Sequence, residues 1–199
     1  MARRSKIKKL RTSVAVIGEG ITERCYFENL KKDENLKYKL KPDLPSTSNF
    51  QKIFQKARQL LKNEYNYVYC IIDLDVIYND NNIKNKYQNL KNKLPSNIIV
   101  LECMPCFEIW FLLHFKYTTR IFQNYNDLEP ILLNHITDYS KNEQYFNSKE
   151  LYSFLKNKLT TAIKYSKKLN TSYKPHIHSI FFTKCEIYKI IESLLSGKL

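Results

Sequence analysis

Glycine is scarce in this sequence, with three glycines among 199 residues. This scarcity argues against a flexible glycine-rich joint between domains, and no internal repeat or heptad pattern is present either. No apolar run approaches the roughly 20 residues that a membrane-spanning helix needs, and the first segment, MARRSKIKKLR, lacks the apolar stretch of a signal peptide. We therefore expect a soluble, cytoplasmic protein that has no membrane partner.

Acidic residues are also few beside the basic ones. The 19 Asp and Glu residues against 33 Lys and Arg residues give a net charge of +14. Such an excess attracts polyanions and gains from counterion release, so nucleic acid is the expected partner. The alternative is a Lys-rich and Asn-rich composition that places lysines on solvated faces without any ligand.

A basic arm, residues 1–12, opens the chain. We expect it to contact phosphate, although a disordered tail and an interface for a protein partner are alternatives that composition leaves open. Its basic residues are Arg3, Arg4, Lys6, Lys8, Lys9 and Arg11.

The cysteines do not form the pattern of a disulfide framework. They are five, an odd number, and they are scattered along the chain in mainly apolar surroundings. We expect free thiols in a reducing compartment. Cys103 and Cys106 have the spacing of one half of a zinc site, but a structural zinc needs four ligands and the sequence has no second such pair.

The order of apolar segments predicts an α/β fold. Continuous apolar runs at 13–17, 67–72 and 98–101 are typical of buried parallel strands, and segments with helical spacing lie between them. The alternation predicts a mostly parallel sheet flanked by helices over residues 13–116. The dense apolar segment 106–115 predicts a central helix, and residues 117–199 predict a mainly helical extension packed on this core.

Acidic residues follow two of the predicted strands. Glu19 lies in a Gly-Glu-Gly turn after the first strand, while Asp73 and Asp75 are spaced so that both carboxylates leave an extended chain on the same side. Ligands of open α/β sheets bind outside the carboxyl ends of the strands. Three carboxylates at one place repel unless they are neutralised, and such a site suits Mg²⁺ or Mn²⁺. Taken singly, Glu19 is also consistent with a solvated turn residue.

Three segments, in order, resemble the motifs of RloB-like proteins, a family with a Toprim-related fold. The segments are GEGITERCYF from Gly18, DLD from Asp73 and PCFEIWFLLHF from Pro105. The resemblance covers residue 13 to at least residue 115, with a looser echo over 175–191. It departs from the family at Cys103 and Met104, where members often carry a small polar residue and Asn.

The resemblance implies that Glu19, Asp73 and Asp75 are the metal-associated acids, with Glu23 and Glu108 as further ligand candidates. It also implies that Glu19, Asp73, Asp75 and Glu108 carry catalysis in a nuclease of bacterial phage defence, often beside an ATPase partner. Glu23 has a purely structural alternative, because an acid in the first turn of a helix is favoured by the helix dipole.

Three functions remain open from the sequence. The first is a metal-dependent endonuclease acting on DNA or RNA; the second is a non-catalytic module, with the same scaffold, that binds nucleic acid or an ATPase partner. The third is nucleotidyl transfer as in primases, although this chain lacks the extra domains of those larger enzymes. His114 is expected to be a hydrogen-bonded structural residue, and nothing pairs His176 or His178 with acids at ligand spacing.

Overall fold

The computed structural model of the protein describes residues 12–44, 49–63, 65–172 and 182–198. The basic residues of the arm lie outside these ranges, so their predicted contact with phosphate stays a prediction, and His176 and His178 also lie outside the described residues. No helix within the described ranges is long and apolar enough to cross a membrane.

The strands of the described chain form one sheet. They are β1 (Ser13–Ile17), β2 (Lys39–Asp43), β3 (Tyr67–Asp73), β4 (Ile98–Met104) and β5 (Lys184–Cys185). Their order is β2-β1-β3-β4-β5, in which the first four strands run parallel and β5 runs antiparallel to β4. The predicted α/β fold with a mostly parallel sheet is confirmed.

Helices cover both faces of this sheet and make up most of the chain after residue 117. They are α1 (Ile21–Asp33), α2 (Phe50–Lys62), α3 (Asp75–Tyr78), α4 (Asn81–Lys91), α5 (Ile109–Leu112), α6 (Tyr125–Leu133), α7 (Glu143–Ser148), α8 (Leu151–Lys156), α9 (Leu159–Ser172) and α10 (Ile187–Ser196). The C-terminal extension is therefore mainly helical, as predicted, and it also adds β5 to the edge of the sheet.

Alternating side chains of the buried strands divide the core into two layers. Ala15 and Ile17 pack with α2 and α4, whereas Val14 and Val16 pack with α1, α5 and the C-terminal helices. This period of two is the property of a strand that is covered on both faces. The extension thus shares one of the two core layers with the sheet.

The apolar segment 106–115 is central, as expected, but only Ile109–Leu112 is α-helical. The N–H of Trp110 donates to the carbonyl of Phe107 at 2.9 Å, a bond three residues back that belongs to the tighter 3₁₀ geometry. The predicted helix was therefore too long. Trp110 is fully buried, and its Nε1 donates to the hydroxyl of Tyr26 at 2.9 Å, which joins this segment to α1.

Candidate active site

The site begins where two neighbouring parallel strands end. β1 and β3 pair with Ile17 opposite Cys70, and β2 flanks β1 on its other side. The strands that follow β1 in the chain lie on opposite sides of it, β2 on one side and β3 on the other. Such a reversal of strand order leaves a crevice at the carboxyl ends of the strands. There, the N–H of Asp73 donates to Oε1 of Glu19 at 3.0 Å. Glu19 and Asp73 therefore lie together at the ends of β1 and β3, and the metal-binding role that the sequence indicates for them stays a prediction.

Glu23 packs against the turn that follows β1. Its Oε2 accepts the N–H of Gly20 at 3.2 Å, which satisfies one of the free donors at the start of α1. A Cβ placed on Gly18 would lie 2.4 Å from Cβ of Glu23. The turn needs glycine at position 18 because the first turn of α1 approaches it so closely.

We predict that Gly18→Ala destabilises the fold by about 1–3 kcal/mol, the usual range for overpacking, because backbone-near atoms of Glu23 must move. The matched control is Gly20→Ala, where the added Cβ meets Glu23 Oε2 at an ordinary 3.5 Å. That control is expected to change stability by less than about 1 kcal/mol. Thermal unfolding of both variants is the measurement, and equal melting temperatures would contradict the packing argument.

Four carboxylates line one open cavity of about 250 Å³. They come from the turn after β1, the first turn of α1, the end of β3 and the start of α5, and one lysine from the C-terminal extension faces them. These residues are Glu19, Glu23, Asp73, Glu108 and Lys141. The fold therefore gathers four of the five acids that the sequence singled out.

Asp75 takes a different position from the one expected. β3 ends at Asp73 and the backbone turns into α3, so the same-side spacing of an extended chain does not apply to Asp75. Its Oδ1 accepts the N–H of Val76 at 2.7 Å, and it is not among the residues that line the cavity. Its influence on the cavity is electrostatic, because its charge raises the pKa of Glu19.

Glu108 is held by two residues that no sequence motif indicated. It is 1% exposed, and its Oε1 lies 2.9 Å from Nζ of Lys141 and accepts the hydroxyl of Tyr139, also at 2.9 Å. Nζ of Lys141 also lies 3.7 Å from the ring centroid of Tyr125, a favourable cation–π arrangement. The C-terminal extension therefore supplies the cation of the site and orients one of its acids.

The acids resist ionising together. Burial raises the pKa of Glu19 to about 7, and Asp75 adds to this rise, although the Asp73 N–H and Lys141 oppose it. Burial, with repulsion from Glu108, raises the pKa of Glu23 to about 8. Burial and the charges of Glu19 and Glu23 also raise the pKa of Asp73 well above its ordinary range. These raised pKa values mean that the acids of the cavity still hold protons near neutral pH.

Lys141 remains a cation in these surroundings. Burial by itself disfavours its charge, yet the neighbouring carboxylate of Glu108 outweighs that effect and leaves the pKa of Lys141 raised. The cavity therefore contains a cationic lysine beside acids whose pKa values are raised.

The carboxylates have the chemistry of a site for a hard divalent cation, but they are not assembled around one. Asp73 Oδ1 and Glu108 Oε2 are buried and have no hydrogen-bond partner among the described residues. Within the described part of the chain, however, no three His, Cys, Asp or Glu side chains form a set of metal ligands. A cation would fit the donor types if side chains turned away from their present protein partners.

His114 lies outside the acidic cavity. It is buried, and its Nδ1 donates to the carbonyl of Trp110 at 2.8 Å, a bond that assigns the proton to Nδ1 because a carbonyl only accepts. Burial lowers the pKa of His114 to about 4. These contacts are those of a neutral structural histidine.

Comparison with known proteins gives one result at the level of the family. A family model described as RloB-like protein matches residues 14–194. No curated protein and no solved structure matches the chain. The matched span continues past the three motifs and includes the extension with Tyr139, Lys141 and β5.

Proposed function

This chain belongs to the RloB-like family, and from that premise we propose that it is a metal-dependent nuclease that hydrolyses nucleic-acid phosphodiester bonds in bacterial phage defence. The observation that supports this proposal best is the cavity in which four carboxylates face a single lysine at the ends of β1 and β3. Its place in a chain of net charge +14 adds support, because the surface attracts the polyanion while the cavity concentrates acids.

In the proposed enzyme, Glu19, Glu23, Asp73 and Glu108 hold Mg²⁺ or Mn²⁺, and Asp75 adds negative charge without lining the cavity. When bound, such an ion activates water and polarises the phosphate oxygens. The buried oxygens of Asp73 and Glu108 that lack protein partners are the atoms best placed to become ligands. The proposal also includes an ATPase partner, and it includes phosphate contact by the basic arm, residues 1–12.

Lys141 has a separate role in this proposal. Its Nζ faces the cavity beside Glu108, so its positive charge is available to a phosphate group that enters there. A fixed cation aimed at developing negative charge stabilises the transition state without further reorganisation. In this proposal, Lys141 pairs with Glu108 before substrate binds and stabilises the negative charge of the phosphate afterwards.

We predict that Lys141→Met lowers the cleavage rate by about 100-fold, the loss typical of removing one preorganised donor. The matched control is Lys149→Met, because Lys149 pairs with Asp138 on the surface and does not line the cavity. Cleavage rates are compared at equal protein stability, checked by thermal unfolding. A rate for Lys141→Met that equals that of the control would remove Lys141 from the proposed site.

The test of the function is direct cleavage. Purified protein is incubated with plasmid, single-stranded DNA and tRNA in Mg²⁺ or Mn²⁺, with and without an ATPase partner. We expect cleavage of at least one substrate, and we expect EDTA to abolish it. Absence of cleavage under all these conditions would contradict a nuclease.

A second candidate is a non-catalytic module that binds nucleic acid or the ATPase partner. The ion pair between Glu108 and Lys141 favours this alternative, because it occupies one of the candidate metal ligands with a protein partner. It predicts that wild-type protein binds nucleic acid but never cuts it, and that Asp73→Ala leaves binding intact. Cleavage that depends on Asp73 would eliminate it.

A further inference from the structure

A second cleft shares Glu19 and Asp73 with the acidic cavity. Its volume is about 260 Å³, and α2, α3 and α4 form its walls. Its further lining residues are Asn49, Phe50, Gln51, Val76, Ile77, Ile83 and Lys86. The cleft is mostly apolar, and two catalytic candidates lie at its boundary with the acidic cavity.

The apolar wall combines buried side chains with one that is open to solvent. Phe50 is held by Tyr87, whose ring centroid lies 5.4 Å away at an interplanar angle of 84°. At the rim, Val76 is 67% exposed, next in sequence to the acidic Asp75.

The rim of the cleft carries hydrogen-bonding and charged groups. Asn49 caps α2, and its Oδ1 accepts the N–H of Lys52 at 2.9 Å, so the cap does not use the two donors on Nδ2. Gln51 adds a second amide, and exposed Lys86 adds a positive charge. Amides pair with the edges of bases, while lysines contact phosphates.

We propose that this cleft receives one unpaired nucleobase of the strand whose phosphate enters the acidic cavity. The substrate class is then single-stranded or locally unpaired nucleic acid, because a base stacked inside a duplex cannot reach such a cleft. The proposal rests on the proposed nuclease function, since the shared acids Glu19 and Asp73 join the apolar cleft to the phosphate site. The apolar wall supplies contact area without selecting one base.

The test compares base-bearing and abasic strands of equal length. Binding of short oligothymidylate and oligouridylate is measured by fluorescence anisotropy in Ca²⁺, and gels verify that the strands stay intact. For wild-type protein, we expect removal of all bases to weaken binding by about 10-fold, because an abasic strand has no base to bury against the apolar wall. Annealing each strand to its complement is expected to weaken binding as well.

The matched variants are Val76→Asn in the cleft and Ile121→Asn outside it. Both replace an exposed aliphatic residue with a neutral amide, Val76 at 67% and Ile121 at 52% exposure, so neither alters the charge around the acids. We expect Val76→Asn to bind base-bearing and abasic strands almost equally, whereas Ile121→Asn keeps the wild-type difference. Ile83→Asn repeats the test from the opposite helix, with thermal unfolding to verify its fold.

Three outcomes would overturn the proposal: equal wild-type affinity for abasic strands, a wild-type difference retained in Val76→Asn, or equal affinity for duplex. Cleavage in Mg²⁺ or Mn²⁺ is measured in parallel, so that the two proposals fail separately. Base-dependent binding without cleavage supports the cleft and contradicts the nuclease. Cleavage without base dependence supports the nuclease and contradicts the cleft.

Discussion

The Asp73→Asn variant is expected to lose cleavage by about 1,000-fold or more and, without metal near pH 8, to unfold at a higher temperature than wild type. The two effects have one cause. Asp73 ends β3 among Glu19, Glu23 and Glu108, and burial and these charges raise its pKa well above the ordinary range. Asparagine keeps the shape of the side chain but cannot ionise, so folding near pH 8 no longer has to protonate or bury this carboxylate, and a metal ligand is lost.

A structural role for Asp73 predicts a different pair of results. If Asp73 only supported the fold, its replacement would lower stability and activity together. The measurements are the cleavage rate in Mg²⁺ or Mn²⁺ and the melting temperature in EDTA. The control is Glu28→Gln, because Glu28 is an exposed acid of α1 that pairs with Arg24 away from the cavity. Full cleavage by Asp73→Asn would remove Asp73 from the proposed catalytic set.

The metal-free protein is expected to lose stability as the pH rises from about 4.5 to about 8. Over this range the unfolded chain has released protons that folded Glu19 and Glu23 still hold, because their pKa values are about 7 and about 8. The stability that these bound protons contribute is fully present below the pKa of the unfolded chain. It is lost as the pH rises through the pKa values of Glu19 and Glu23 in the folded protein. For Glu19 it amounts to about 2 kcal/mol after allowance for partial exposure, or roughly 4–8 °C.

A divalent cation is expected to reverse this loss. At about pH 8 it replaces the missing protons, so Mg²⁺ or Mn²⁺ should raise the melting temperature, whereas near pH 5 the acids are protonated and the shift should be much smaller. Thermal unfolding in EDTA and in each metal at both pH values is the measurement. The control is the double variant Glu19→Gln with Glu23→Gln. It separates metal binding at this site from the general response of a protein of net charge +14 to divalent salt. An equal metal response in that variant would place the cation elsewhere.

The acids were predictable to different degrees. Glu19 and Asp73 follow apolar runs that read as buried parallel strands, and the ends of adjacent parallel strands must lie together. Asp75 was harder to place because its predicted position assumed that the strand continued, whereas the chain turns into α3. Glu108 was assigned to the site only through the family motif. A carboxylate in an apolar segment needs a partner, but the sequence does not show which residue that partner is.

The C-terminal contribution could not be predicted from local patterns. Lys141 and Tyr139 reach Glu108 because the extension packs on the same face of the sheet as α1 and α5. The cleft beside Val76 likewise depends on how α2, α3 and α4 meet. None of these contacts leaves a periodic signal, because the partners are far apart in sequence and meet only through packing.

The amino-acid sequence was sufficient for the alternation of strands and helices and for the position of Glu19 and Asp73 at the strand ends. Burial imposes periods of two on strands and 3.6 on helices, and those periods are visible in a single sequence. Tertiary packing alone settled which four acids share a cavity, that Lys141 faces them and that an apolar cleft adjoins them. These properties arise from contacts between distant segments, and such contacts exist only once the helices have packed against the sheet.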